Sequence, residues 1–184
     1  LAGDFALTCV YTLLLKRLVL VDCLTLALLY TVRILAGTAA ARLESSFWLL
    51  AFSIFLFLSL AFVKRYAELL VQAGSGREKA HGRGYYTADA PLVQMFGVAS
   101  GYGAALVLAL YLNSESVTRL YRQPEFAGGA VMVVLFWISW IWLQAHRGRM
   151  NDDPVVFAVR DPASLAAGAV FALVLWFAAA GTPW

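Results

Sequence analysis

Charge is scarce in this sequence. Only 14% of its 184 residues are Asp, Glu, Lys or Arg, where soluble globular domains carry roughly a quarter. Cysteine is limited to Cys9 and Cys23, both in apolar runs with no CxxC and no histidine partner nearby. That leaves disulfide, zinc and redox roles without support and reads as thiols packing as small hydrophobes. The two histidines, His81 and His146, stand alone in basic loops without ligand spacing and are read as surface residues. No GxxxxGK[ST] occurs, which excludes a nucleotide P-loop. Fixed-period repeats and low-complexity tracts are missing too. The net charge of +3 needs no nucleic acid to explain it, because basic loops flanking membrane spans have the same effect. The chain opens on Leu1 with Asp4 ahead of its first apolar run and no basic n-region. No signal peptide is expected, and the chain reads as the carboxy-terminal part of a longer protein.

What the sequence has in abundance is apolar surface. Hydrophobic residues make up 62% of it, and the mean hydropathy is +0.76. A chain of this kind cannot hide its apolar surface in a single water-facing fold, so lipid is its expected solvent. The expected fold is an all-α integral membrane protein of about six transmembrane helices. The stretches are Phe5–Leu15 (partial), Leu18–Ala41, Phe47–Val63, Leu92–Leu112, Phe126–Ala145 and Ala163–Gly181. The third is expected to run on through Val71, because "KRYAELLVQ" contains no breaker. Asp161-Pro162 reads as an N-cap with proline at the first helical position, and Asp153-Pro154 starts a short interfacial helix in the same way.

Alternating the connections between two sides places ten Lys and Arg on one (Lys16, Arg17, Lys64, Arg65, Arg77, Lys79, Arg83, Arg147, Arg149, Arg160). The other side holds three (Arg42, Arg119, Arg122). That asymmetry predicts basic loops in the cytoplasm and a carboxy terminus outside. Trp48 and Trp184 then fall at the outer interface.

Three groups of residues draw attention. Arg33 lies more than two turns inside its span, where an arginine costs at least ~2.5 kcal/mol and should face the bundle interior, an anion or a cavity. Snorkelling, or pairing with a carbonyl of a neighbouring helix, is the alternative. Asp22 precedes it by eleven residues, which leaves the two about 20° apart in azimuth and about 16 Å apart along the axis. The second group is Lys64, Arg65, Arg77, Lys79 and Arg83, mixed with Glu68, Glu78, Asp89, four glycines and Tyr85-Tyr86. Topogenic charge and anionic lipid account for the basic excess; glycine-exposed amides and Arg forks account for it equally as a phosphate site. Third, Asn151, Asp152 and Asp153 are residues of the type that ligates magnesium. Helix capping by Asp153 and Asp161 is the simpler account and the preferred one.

Three stretches together, "YTLLLKRLVLVDCLTLALLYTVRILAGTAA", "FSIFLFLSLAFVKRYAEL…RGYYTAD" and "DDPVVFAVRD", resemble the carboxy-terminal half of UbiA-type intramembrane prenyltransferases. The most similar branch is that of the decaprenyl-phosphate phosphoribosyltransferases, and the resemblance covers essentially the whole chain. It implies one UbiA-type transmembrane domain of which residues 1–184 are the carboxy-terminal part, helices four to nine of a nine-helix bundle. It further implies a cavity open to the cytoplasm, magnesium, a polyprenyl phosphate or diphosphate lipid, and a phosphorylated sugar or other acceptor. The implied setting is cell-envelope biosynthesis in a bacterial inner membrane, with no nucleic acid and with a homo-oligomer left open. Two departures matter. "KRYAEL" stands where many family members carry a second acidic motif, which favours phosphate contacts over a second metal cluster. The first motif, of NDxxDxxxD type, is absent, so this segment alone is not expected to catalyse the reaction.

The resemblance implies a glycosyltransferase step, in which the lipid phosphate attacks the anomeric carbon of phosphoribosyl diphosphate and diphosphate leaves. Fixed cations and magnesium would stabilise the leaving group. Lys64, Arg65 and Arg83 are the expected diphosphate contacts, with Lys16 and Arg33 for a second phosphate and Asp22 and Tyr85 beside them. Glu68 and Asp89 are the candidate metal or sugar-hydroxyl ligands. Prenyl transfer to an aromatic or other acceptor is the alternative reaction. A transporter or scaffold is the alternative class, whose cue of paired broken helices does not appear in these spans.

Overall fold

The computed structural model describes residues 18–40, 46–76, 84–114, 117, 121–150 and 153–180. Every regular element among them is a helix: α1 (Val21–Ala40), α2 (Phe47–Gly74), a 3-10 turn (Thr87–Asp89), α3 (Ala90–Leu112), α4 (Pro124–Ala127), α5 (Gly129–His146), α6 (Pro154–Ala158) and α7 (Pro162–Ala180). Among the described residues five stretches are long and apolar enough to cross a membrane: Val21–Ala40, Phe47–Gly74, Thr87–Leu112, Glu125–His146 and Pro162–Ala180. They match the five full-length runs expected from hydropathy, and the partial run Phe5–Leu15 lies outside the described residues.

The helix ends follow from local chemistry. α2 runs unbroken past Val71 for 28 residues and stops where Gly76 takes a left-handed φ of 71°. Its amide then reaches back to the Ala73 carbonyl at 3.1 Å, a turn that glycine adopts without steric cost. Asp153 and Asp161 cap α6 and α7 as expected, each followed by proline in the first turn. Before α1, Leu20 has a φ of 67°, unusual for a side chain branched at Cγ. Its N–H donates to the Tyr85 hydroxyl at 2.7 Å, a tertiary bond that helps to hold the turn.

α2 is the central helix. It packs on α1 and α3 and also touches α5 and α6, while α5 packs on α3 and α7. The α2–α3–α5 contact is close because α3 carries Gly97 and Gly101 one turn apart. A Cβ at Gly97 would lie 2.1 Å from Trp142 Cζ2 and 2.7 Å from Phe62 Cβ, and one at Gly101 would lie 2.6 Å from Ile138 Cγ2. Ser59 uses the gap to donate to the Gly97 carbonyl at 2.7 Å, and Trp142 Nε1 donates to Ser59 Oγ at 3.1 Å. Where lipid is the solvent, close packing and bonds of this kind are what hold apolar helices together. The antiparallel succession brings the start of α1, the last third of α2, the segment before α3, the end of α5 and the start of α7 to one end of the bundle.

Candidate functional site

At that end, α2 presents two faces with different chemistry. A helix turns about 100° per residue, so adjacent residues point apart while residues three or four apart share a face. Lys64, Ala67, Glu68, Val71 and Gln72 follow that spacing and line a cleft of about 450 Å³, closed by Met150 and Asp153. Phe62, Arg65, Tyr66 and Leu69 form the opposite face and are buried.

Arg65 is the largest fully buried side chain among the described residues, at 0% exposure. One amino group lies 2.5 Å from Asp22 Oδ2, an ion pair whose angles fall short of a good hydrogen bond, and the other donates to Glu68. Its guanidinium carbon lies 5.4 Å from the centre of the Tyr85 ring. Asp22, also 0% exposed, takes hydrogen bonds on Oδ1 from the Tyr85 hydroxyl and the Cys23 N–H, each at 2.8 Å. Burial pushes the Tyr85 hydroxyl well above its ordinary titration range, with the nearby Cys23 and Asp22 adding to the shift, so it remains a neutral donor. The cluster joins α1, α2 and the segment before α3 through one buried cation and one buried anion.

Lys64 points the other way. Its Nζ is 2.8 Å from Asp153 Oδ2, and the two side chains are 38% and 30% exposed. Glu68 connects the two faces, since its carboxylate holds Arg65 yet its side chain is 32% exposed on the cleft. The Gln72 side-chain oxygen is buried there without a hydrogen-bond partner among the described residues.

The expected site residues therefore separate. Asp22, Arg65, Glu68 and Tyr85 come together, but Arg65 is turned away from the cleft and two carboxylates occupy it. In this arrangement Arg65 is buried between two carboxylates and holds Glu68 at the edge of the cleft. Lys64 lines the cleft. Asp89 does not join Glu68; it accepts the Tyr86 N–H at 2.8 Å and closes its own turn. Among the described residues no three His, Cys, Asp or Glu converge as a metal site. Arg33 is exposed, its guanidinium 5.5 Å from the Tyr30 ring centre, so it does not share the buried environment of Asp22 despite the similar azimuth. Lys16 and Arg83 lie outside the described residues, as do Cys9, His81, Asn151 and Asp152. Cys23 is buried as expected, and His146 is exposed with Nδ1 2.9 Å from the Tyr66 hydroxyl.

Asp153 is the cleft residue that sequence reasoning placed as a cap in preference to a magnesium ligand, and not as a partner of Lys64. It does cap, accepting the Val155 N–H at 3.1 Å on Oδ1, while Oδ2 serves Lys64. Nothing local in "NDDPVV" signals a partner 89 residues earlier. Gln72 and Met150 had no signal at all beyond, for Gln72, the helical spacing from Lys64 and Glu68.

No family model matches this chain. Over 168 residues, 91% of its length, it is 38% identical to the uncharacterized protein y4nM of Sinorhizobium fredii, covering 33% of that protein. Over 165 residues, 89% of its length, it is 38% identical to the nodulation protein NoeC of Azorhizobium caulinodans, covering 53% of it. The chain thus spans about a third of one of these relatives and about half of the other, and shares with both a sequence likeness along nearly all of its own length.

Proposed function

We propose that this chain is part of a membrane-embedded transferase of the UbiA type acting on a polyprenyl phosphate or diphosphate. The reaction proposed is phosphoribosyl transfer from phosphoribosyl diphosphate to a polyprenyl phosphate. One observation carries the reading: a lysine and two carboxylates line a single cleft at one end of an apolar helix bundle. A phosphate oxygen of the lipid forms the new bond to the anomeric carbon. The bond from that carbon to diphosphate breaks, and diphosphate leaves with the electron pair. Lys64 is the cation placed to meet phosphate oxygens, and Glu68 and Asp153 are acceptors for sugar hydroxyls. Among the described residues the lining has no aromatic side chain, which favours a polyol over the aromatic acceptor of the alternative reaction.

Magnesium belongs to this reading through the resemblance. The described residues do not fit a preformed magnesium cage: Glu68 is held by Arg65, Asp153 by Lys64, and Asp89 by its own turn. No step is therefore routed through the metal. In the same reading the basic connections face the cytoplasm of a bacterial inner membrane and the spans belong to a nine-helix bundle. The test uses full-length protein in detergent with radiolabelled phosphoribosyl diphosphate and decaprenyl phosphate. Transfer of label to lipid is expected, with a loss of at least about tenfold in Lys64→Ala, a factor equal to ~1.4 kcal/mol of transition-state stabilisation. A wild-type rate in that variant would remove the cleft from the mechanism.

A further inference from the structure

We infer that the Lys64–Asp153 ion pair is an anion-released latch on the α6 segment. A phosphate group entering the cleft takes Lys64 from Asp153, frees the strap from Asp153 to Asp161, and opens the cleft into the apolar pocket behind it. Only the choice of phosphate rests on the reading above.

The first support is placement. Lys64 and Asp153 line both the 450 Å³ cleft and a second pocket of about 50 Å³. That second pocket is bounded by Leu26, Tyr30, Phe57 and Leu60 on α1 and α2 and by Pro154 and Val155 on the strap. The ion pair is thus part of the wall that the two spaces share, and apart from it the smaller one is lined by apolar and aromatic side chains. With the latch closed the apolar pocket is too small for an alkyl chain, and displacement of Pro154 and Val155 enlarges it.

The second support is unequal anchorage. At the far end Asp161 is fixed by three donors: Ser164 N–H at 2.8 Å, Ser164 hydroxyl at 2.8 Å and Trp140 Nε1 at 2.9 Å. At the near end Pro154 is buried and Phe157 packs on the core, while Asp153 itself reaches the bundle through an ion pair whose side chains are 38% and 30% exposed. Exposed pairs contribute little and are open to competition by other charges. A phosphate brings more negative charge and more acceptor oxygens than one carboxylate, so it outcompetes Asp153 for the same ammonium. Between the anchors, α6 has only five residues, too few to hold a helix without its neighbours. Asp161 is the hinge and Asp153 the catch.

The test reads amide hydrogen exchange at residues 155–160 in full-length protein held in phosphatidylcholine nanodiscs. The probes are geranylgeranyl phosphate, geranylgeraniol and inorganic diphosphate. Geranylgeranyl phosphate is expected to speed exchange of these amides at least tenfold, and geranylgeraniol to leave it unchanged. Asp153→Asn, which keeps a capping side chain and removes only the charge, should exchange at the fast rate without ligand. Lys64→Gln should also be fast and should no longer respond. A response to inorganic diphosphate as well assigns the latch to any phosphate; a response to geranylgeranyl phosphate alone assigns it to a lipid headgroup. No response to either phosphate, an equal response to geranylgeraniol, or an Asp153→Asn protein as slow as wild type overturns the latch. Transfer activity with an unresponsive strap removes the latch and leaves the transferase reading. A responsive strap in a protein without transfer activity does the reverse.

Discussion

Lys64 and Arg65 are neighbours in sequence and opposites in structure. The helical turn between them sends one ammonium to an open cleft and buries one guanidinium between Asp22 and Glu68. Their substitutions should differ accordingly. Lys64→Ala is expected to leave unfolding in an SDS titration unchanged to within about 1 kcal/mol, as for an exposed ion pair. Arg65→Ala strands Asp22 as an uncompensated buried charge and should cost about 3–5 kcal/mol in the same titration. Tyr85→Phe removes one of the hydrogen bonds to Asp22 Oδ1 and the bond from Leu20, for an expected loss of about 1–3 kcal/mol. Equal losses for Arg65→Ala and Lys64→Ala would contradict the burial of the guanidinium. The charge cluster was legible as a cluster, because seven residues of "KRYAELL" contain both cations and Glu68. Which cation faces the cleft was not legible, since that depends on the azimuth at which α2 packs.

At the scale of elements, caps and spans were readable and close approaches were not. Asp153-Pro154 and Asp161-Pro162 announce helix starts through backbone chemistry that operates within four residues. Asp161 also gives a pH dependence. Burial opposes its ionisation, but hydrogen bonds from the Ser164 amide and hydroxyl and from Trp140 more than offset this and hold it below its usual value of 3.8. A folded-state value below the unfolded one stabilises the fold above the unfolded value, and that contribution is lost as pH falls through the folded one. Thermal stability in detergent should therefore drop at acid pH below about 4, and Asp161→Asn should remove that component of the drop. The α2–α3–α5 contact is tested by Gly97→Ala, whose Cβ would meet the Trp142 ring at 2.1 Å. Overpacking of this kind costs about 1–3 kcal/mol, and Trp142→Leu in the same chain should recover part of it. Full additivity of the two substitutions would mean that the ring is not what Gly97 accommodates.

Over the whole molecule, the apolar runs, with the breaker-free extension of the third through Val71, foresaw the five described helices long enough to cross a membrane, and with Lys64 and Arg65 placed on α2 the connections carry eight basic residues against three. With the orientation proposed above, alkaline phosphatase fused within residues 114–123 should be active, and fusions after Gly76 or Arg149 should be inactive. The opposite pattern would invert the bundle and place the cleft on the other side of the membrane.

Composition alone determined that these helices are apolar on nearly all sides, because 62% hydrophobic residues cannot be enclosed by 14% charged ones. Local sequence also determined where the helices start and stop, since caps and glycine turns act over a single turn of chain. Tertiary structure decided which polar residues meet. Asp22, Arg65 and Tyr85 are separated by 43 and 63 residues from the first of them, and Lys64 and Asp153 by 89. Pairing over such distances follows from the packing of whole helices, and a helix with apolar residues all around it carries no polar stripe to say in advance which side will be inside.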